Sequence, residues 1–158
     1  MPVTNDIVSA WRRPRVMMLS HLARERSEPW VFALLVAFMI MAFIAQWPGA
    51  SRTSFENPAV PLEPQLLAIA LGILALIPAW YALAAISHWI AKLLGGQGDH
   101  YGARLALFWA LVTVSPLMLL QGLVAGMIGP GPGLTSVTII TGVMFVSFWI
   151  LNLIEAER

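Results

Sequence analysis

The chain contains no cysteine. A disulfide framework, a thiolate metal site and a cysteine nucleophile are thereby excluded. Charge is scarce as well. Charged residues make up 11% of the chain and hydrophobic ones 59%, against about 25% charged in soluble domains. A soluble globule of 158 residues needs more polar surface than this. The apolar excess must face lipid. The formal net charge of +1 is too small for a nucleic-acid binder, which neutralises phosphates with clustered Lys and Arg. Catalytic signatures are missing too: no P-loop, no nucleophile elbow, no H-E-x-x-H and no carboxylate pair inside an apolar run. The first apolar run starts at Trp30, behind a polar stretch too long for a signal-peptide n-region, and no A-x-A-like site follows it. The first span is therefore expected to stay in the mature protein.

What remains is long apolar sequence punctuated by a few charges. A charge at the bilayer centre costs at least about 2.5–3.5 kcal/mol, so charges mark the ends of spans. Glu28 and Arg52 bracket one uncharged run, Glu63 and Lys92 a second, and Arg104 and Glu155 a third. A helix needs about 20 residues to cross the bilayer. The third run holds two helices, divided by Gly129-Pro130-Gly131-Pro132-Gly133, through which no helix continues. The pattern predicts an all-α integral membrane four-helix bundle, with spans over about 30–47, 65–85, 105–128 and 135–154. The second is free to run on to Leu94, where Gly95-Gly96-Gln97-Gly98 ends it.

Lys and Arg set the orientation. Arg12, Arg13, Arg15, Arg24, Arg26, Lys92, Arg104 and Arg158 fall on one side if the helices alternate, and Arg52 alone on the other. Both termini are expected in the cytoplasm, in a cell inner membrane. The segment 1–28 is too polar to span. Ile7, Trp11, Met18 and Leu22 share one stripe of a helix that Pro14 would kink and Asp6 would cap. It is expected to lie at the membrane surface, with Trp11 at headgroup level and Arg12, Arg13 and Arg15 meeting anionic lipid. Residues 29–158 form the transmembrane domain.

Within the spans, small residues recur at four-residue spacing: Ala68 with Gly72, Ala75 with Ala79, Ala106 with Ala110 and Gly122 with Gly126. Each pair lets a neighbouring helix approach closely, either inside the bundle or in a partner. Pro78 and Pro116 fall in mid-span and predict kinks. Thr113, Ser115, Gln121 and Asn152 are polar groups in apolar surroundings, expected to bond across helices. His88 and His100, with Asp99, are the titratable residues nearest one another. An interfacial histidine and an exposed turn explain them better than a metal centre. His21, in the basic tail, is no stronger a ligand. No catalytic residue, cofactor or metal is expected.

The run Ser87-His88-Trp89-Ile90-Ala91-Lys92-Leu93-Leu94-Gly95-Gly96-Gln97-Gly98, followed by Tyr101-Gly102-Ala103-Arg104 and Ser115-Pro116-Leu117, resembles the bacterial branch of the Yip family, the Ypt- or Rab-interacting membrane proteins. The resemblance covers about two-thirds of the chain, from Trp30 on. It implies a helical, non-enzymatic membrane protein with a cytoplasmic N-terminal region. The acidic tyrosine-glycine-proline motif of the eukaryotic members is missing and four spans replace their usual five, so their part in vesicle traffic does not carry over. The resemblance supplies no functional residue. The expected function is a scaffold or accessory protein that packs with other membrane subunits, with itself or with lipid. The alternative is a small oligomeric transporter whose path Pro78, Pro116 and Gln121 would line.

Overall fold

In the computed structural model, which describes residues 3–158, caps and prolines set the helix boundaries. Two short helices, α1 (Val3–Arg12) and α2 (Pro14–Leu22), meet at Arg13. They form an N-terminal arm that doubles back far enough for Arg24 to pair with Asp6 at 3.5 Å. The first span, α3 (Glu28–Glu56), opens on Ser27, whose hydroxyl oxygen accepts from the Trp30 N–H at 3.4 Å. This is an N-cap, satisfying one of the donors that every helix start leaves free.

The second span is two helices, α4 (Leu62–Ala75) and α5 (Ile77–Leu93), broken at Leu76. Pro78 explains the break. It has no N–H for the carbonyl one turn back, and its ring crowds that carbonyl. The third span, α6 (His100–Met127), is capped by Asp99, which accepts from the Gly102 N–H at 2.8 Å. It passes through Pro116 without ending. The Ser115 hydroxyl donates to the Val112 carbonyl at 2.7 Å, the acceptor Pro116 cannot serve. The fourth span, α7 (Pro132–Ala156), follows the proline–glycine turn, where Gly129 takes φ +88°. A side chain is disfavoured there, and a Cβ would also meet the Arg52 guanidinium at 2.6 Å.

Cross-chain pairs give the topology. Arg104 pairs with Glu28 and Arg52 donates to the Gly126 carbonyl, so α3 and α6 run parallel. Asn152 reaches Ala106 and Gln121 reaches Thr138, so α6 and α7 run antiparallel. The arm, the α5–α6 loop and the C-terminal residues therefore share one end, the basic end. The α3–α4 and α6–α7 connections share the other. All four spans are long and apolar enough to cross a membrane.

The core is built around α6. Residues Leu105 to Ser115 are all buried, with α3 on one side and α7 on another. The second span is peripheral: none of its most apolar stretch is buried.

The arm departs from the sequence-based expectation. Its apolar stripe is turned to protein: Met18 is fully buried, and Ile7 and Leu22 pack on the same core. The Trp11 indole N–H donates to the Thr113 carbonyl at 2.9 Å, and its ring meets Phe148 edge-on at 5.6 Å. Trp11 is thus anchored to α6 and α7, with part of its ring left exposed. Arg12 and Arg13 are exposed. Arg15 is exposed too but leans on Glu155 of α7 at 3.4 Å. Asp6 does not cap α1; it lies within the first turn and is buried against Arg24.

Candidate functional site

Polar groups converge at the basic end. The loop after α5 turns at Gly95, φ +94°, and brings the Gln97 N–H onto the Glu157 carbonyl at 2.7 Å. Gly96 and Gly98 make this approach possible. A Cβ at Gly98 would lie 2.8 Å from the Glu157 Cα, and one at Gly96 would lie 2.9 Å from Glu157 Oε2. The Glu157 carboxylate turns inward, where its Oε1 lies 2.6 Å from His88 Nδ1. Both residues are buried. Removing water from a carboxylate and an imidazole is costly, so each needs the other. Around this pair, Arg26 binds Asp99 at 2.6 Å, Arg104 binds Glu28, and Glu155 takes both Arg15 and Arg158 at 3.4 Å. Ser27 N–H donates to the Tyr101 hydroxyl at 3.2 Å. Four chain segments are thereby locked together at one end of the bundle.

His21 of α2 is buried under the arm, 4.3 Å from the Trp109 ring, and neither ring nitrogen has a partner. Burial is the main cause that lowers its pKa from 6.5 to about 4. The Arg24 charge lowers it further, and Asp6 opposes. It sits there as a neutral aromatic.

The small residues separate into two groups. Gly122 and Gly126 of α6 face α3. A Cβ on Gly122 would fall inside the Ala45 carbonyl, with the Ala45 Cα at 3.0 Å; one on Gly126 would meet the Pro48 carbonyl oxygen at 2.9 Å. Ala106 and Ala110 are fully buried in the core. Ala68, Gly72, Ala75 and Ala79 are all exposed. Nothing lies within 4 Å of a Cβ on Gly72. This stripe on the second span faces away from the bundle.

The polar residues also divide. Gln121 donates to the Thr138 hydroxyl at 3.1 Å and Asn152 to the Ala106 carbonyl at 3.4 Å, both across helices. The Thr113 and Ser115 hydroxyls do not cross. They donate to Trp109 and Val112 in their own helix, the local bond these side chains favour when no neighbour competes. Pro78 and Pro116 are exposed. Gln121 borders a cavity of about 110 Å³ between α3 and α6 that neither proline lines. The two histidines do meet, His88 and His100 having ring centroids 4.3 Å apart. The acid bonded to His88 is Glu157, not Asp99, which is engaged by Arg26 and the helix cap. Among the described residues no group of three His, Cys, Asp or Glu side chains has metal-ligand spacing.

Four apolar spans, with α6 the most buried of them, short turns and an ordered polar end define a multi-pass helical membrane protein. The Yip1 domain family matches residues 8–156, nearly the whole chain, and the protein belongs to that family. The match begins inside α1, so it takes in the arm as well as the four spans. No curated protein and no solved structure gives a significant match.

Proposed function

We propose that this protein is a non-enzymatic scaffold or accessory subunit of the bacterial Yip type, which docks another membrane protein or a second copy along its second span. The carrying observation is the exposed stripe of Ala68, Gly72, Ala75 and Ala79. Elsewhere in the chain such residues serve close helix contacts, as Gly122 and Gly126 do against Ala45 and Pro48. Association in lipid has no hydrophobic drive and depends on close packing, which small residues permit. Among the described residues α4 packs chiefly on α3 and α5 packs on α6, which leaves the small-residue face of the second span available for that contact.

We further infer a cell inner membrane with both termini cytoplasmic. The basic end carries eight of the nine Lys and Arg residues, and such a bias retains the basic side in the cytoplasm. The exposed Arg12 and Arg13 then face the headgroups from that side.

Sizing in mild detergent tests the docking reading. The wild-type chain should run as an assembly larger than a monomer or carry a co-purifying membrane protein. Gly72→Leu, which fills open space and not the core, should release it. A wild-type protein that is strictly monomeric and alone would count against the proposal.

A further inference from the structure

At the basic end an apolar groove of about 590 Å³ opens between the last turns of α5 and α7. Ile90 and Leu94 wall one side, and Trp149, Ile150 and Leu153 the other. Ile90, Leu94 and Ile150 are exposed, so the groove opens outward. Glu157 also lines it. Glu157 is only 7% exposed. Its Oε1 is taken by His88, but Oε2 has no hydrogen-bond partner. Gly96 and Gly98 lie against that oxygen, and a Cβ on either would come within 3 Å of it. The one charged group in the groove is therefore negative, half-satisfied and walled by residues without side chains. An unsatisfied buried acceptor is costly, more so when charged. A ligand with a cationic donor relieves that cost, whereas an anionic one adds repulsion.

We infer that this groove is a binding site for one phospholipid whose headgroup carries a primary ammonium. The acyl chain lies between α5 and α7, and the ammonium donates to Glu157 Oε2 while Oε1 stays with His88. Charge complementarity selects the occupant. A phosphatidylglycerol headgroup has no cation for Glu157, and the quaternary ammonium of phosphatidylcholine has no N–H to donate. The groove begins at Ser87, eight residues beyond Ala79, the last residue of the second-span stripe, and does not rest on the docking proposal.

Native mass spectrometry of the full chain in detergent, with one defined lipid added at a time, tests this. Wild type should retain phosphatidylethanolamine as a one-to-one adduct about tenfold more tightly than phosphatidylglycerol or phosphatidylcholine, a difference of about 1.4 kcal/mol. Glu157→Gln should erase the preference among the three. Ala91→Trp fills the groove while leaving His88 and Glu157 paired, and should weaken retention of all three lipids. It decides the matter if Glu157→Gln does not fold. Equal retention of the three lipids by wild type overturns the inference. So does a preference that survives Glu157→Gln, retention untouched by Ala91→Trp, or a second copy of the chain in place of lipid.

Discussion

Replacing Gly122 by alanine adds one methyl group at the closest approach of two spans. The new Cβ would sit inside the Ala45 carbonyl, with the Ala45 carbonyl carbon at 2.7 Å where ordinary contact is 3.4–4 Å. The obstacle is backbone, so no rotamer change relieves it. Helix α3 must retreat by roughly 1 Å, and contacts along the whole α3–α6 face weaken together. Overpacking of this kind costs about 1–3 kcal/mol. Alanine regains up to about 1 kcal/mol of helix propensity over glycine, so a net loss on the order of 1–2 kcal/mol is expected. Gly72→Ala has the same chemistry in open space and should be neutral or stabilising by up to about 1 kcal/mol. Thermal unfolding of both variants in one detergent, followed by tryptophan fluorescence, compares them. The two midpoints should move in opposite directions from wild type, or Gly72→Ala should stay put while Gly122→Ala falls. If Gly122→Ala is as stable as wild type, the close α3–α6 packing described above is wrong.

Three further outcomes are expected. His21 is held neutral, its pKa lowered to about 4, so it supports docking of the arm above pH 6.5. That support is lost as the pH falls from 6.5 toward 4, by up to about 3 kcal/mol. The protection of α2 amides against hydrogen exchange, taken relative to the intrinsic rate at each pH, should fall over this range, and His21→Leu should remove the effect; Arg24 and Asp6 are the charged groups facing the ring. Trp11→Phe keeps the ring but loses the bond to the Thr113 carbonyl. It should cost about 1 kcal/mol and open the arm to protease, and an arm cleaved no faster than in wild type would contradict its anchoring. Topology reporters at 1–28, 95–103 and 155–158 should read cytoplasmic and those at 50–62 and 129–134 external; a cytoplasmic signal from the Gly129 turn would overturn the four-span arrangement.

The spans were legible in the sequence because their signals are local. A charge ends a span wherever it occurs, and proline with glycine breaks a helix without help from tertiary structure. The break at Leu76 and the turn at Gly129 are of this kind. The arm was harder. The stripe of Ile7, Trp11, Met18 and Leu22 announces an apolar face, but lipid and protein interior are equally apolar. Only the fold shows that α6 and α7 receive it. The same ambiguity covers the small residues, since the spacing of Ala68 and Gly72 is that of Gly122 and Gly126, yet one pair faces outward and the other α3. The His88–Glu157 pair joins residues 69 apart. Its one sequence trace was a histidine near a helix end and acids closing an apolar tail, too general a pattern to pair them.

The most direct test of the account places a photoreactive side chain at Gly72 and, as a control, at the exposed Ile139 of α7. Both variants are irradiated in native membranes. A discrete protein adduct at position 72, with lipid alone captured at 139, is the predicted result. No protein adduct at 72 would contradict the claim that the second span is a docking face.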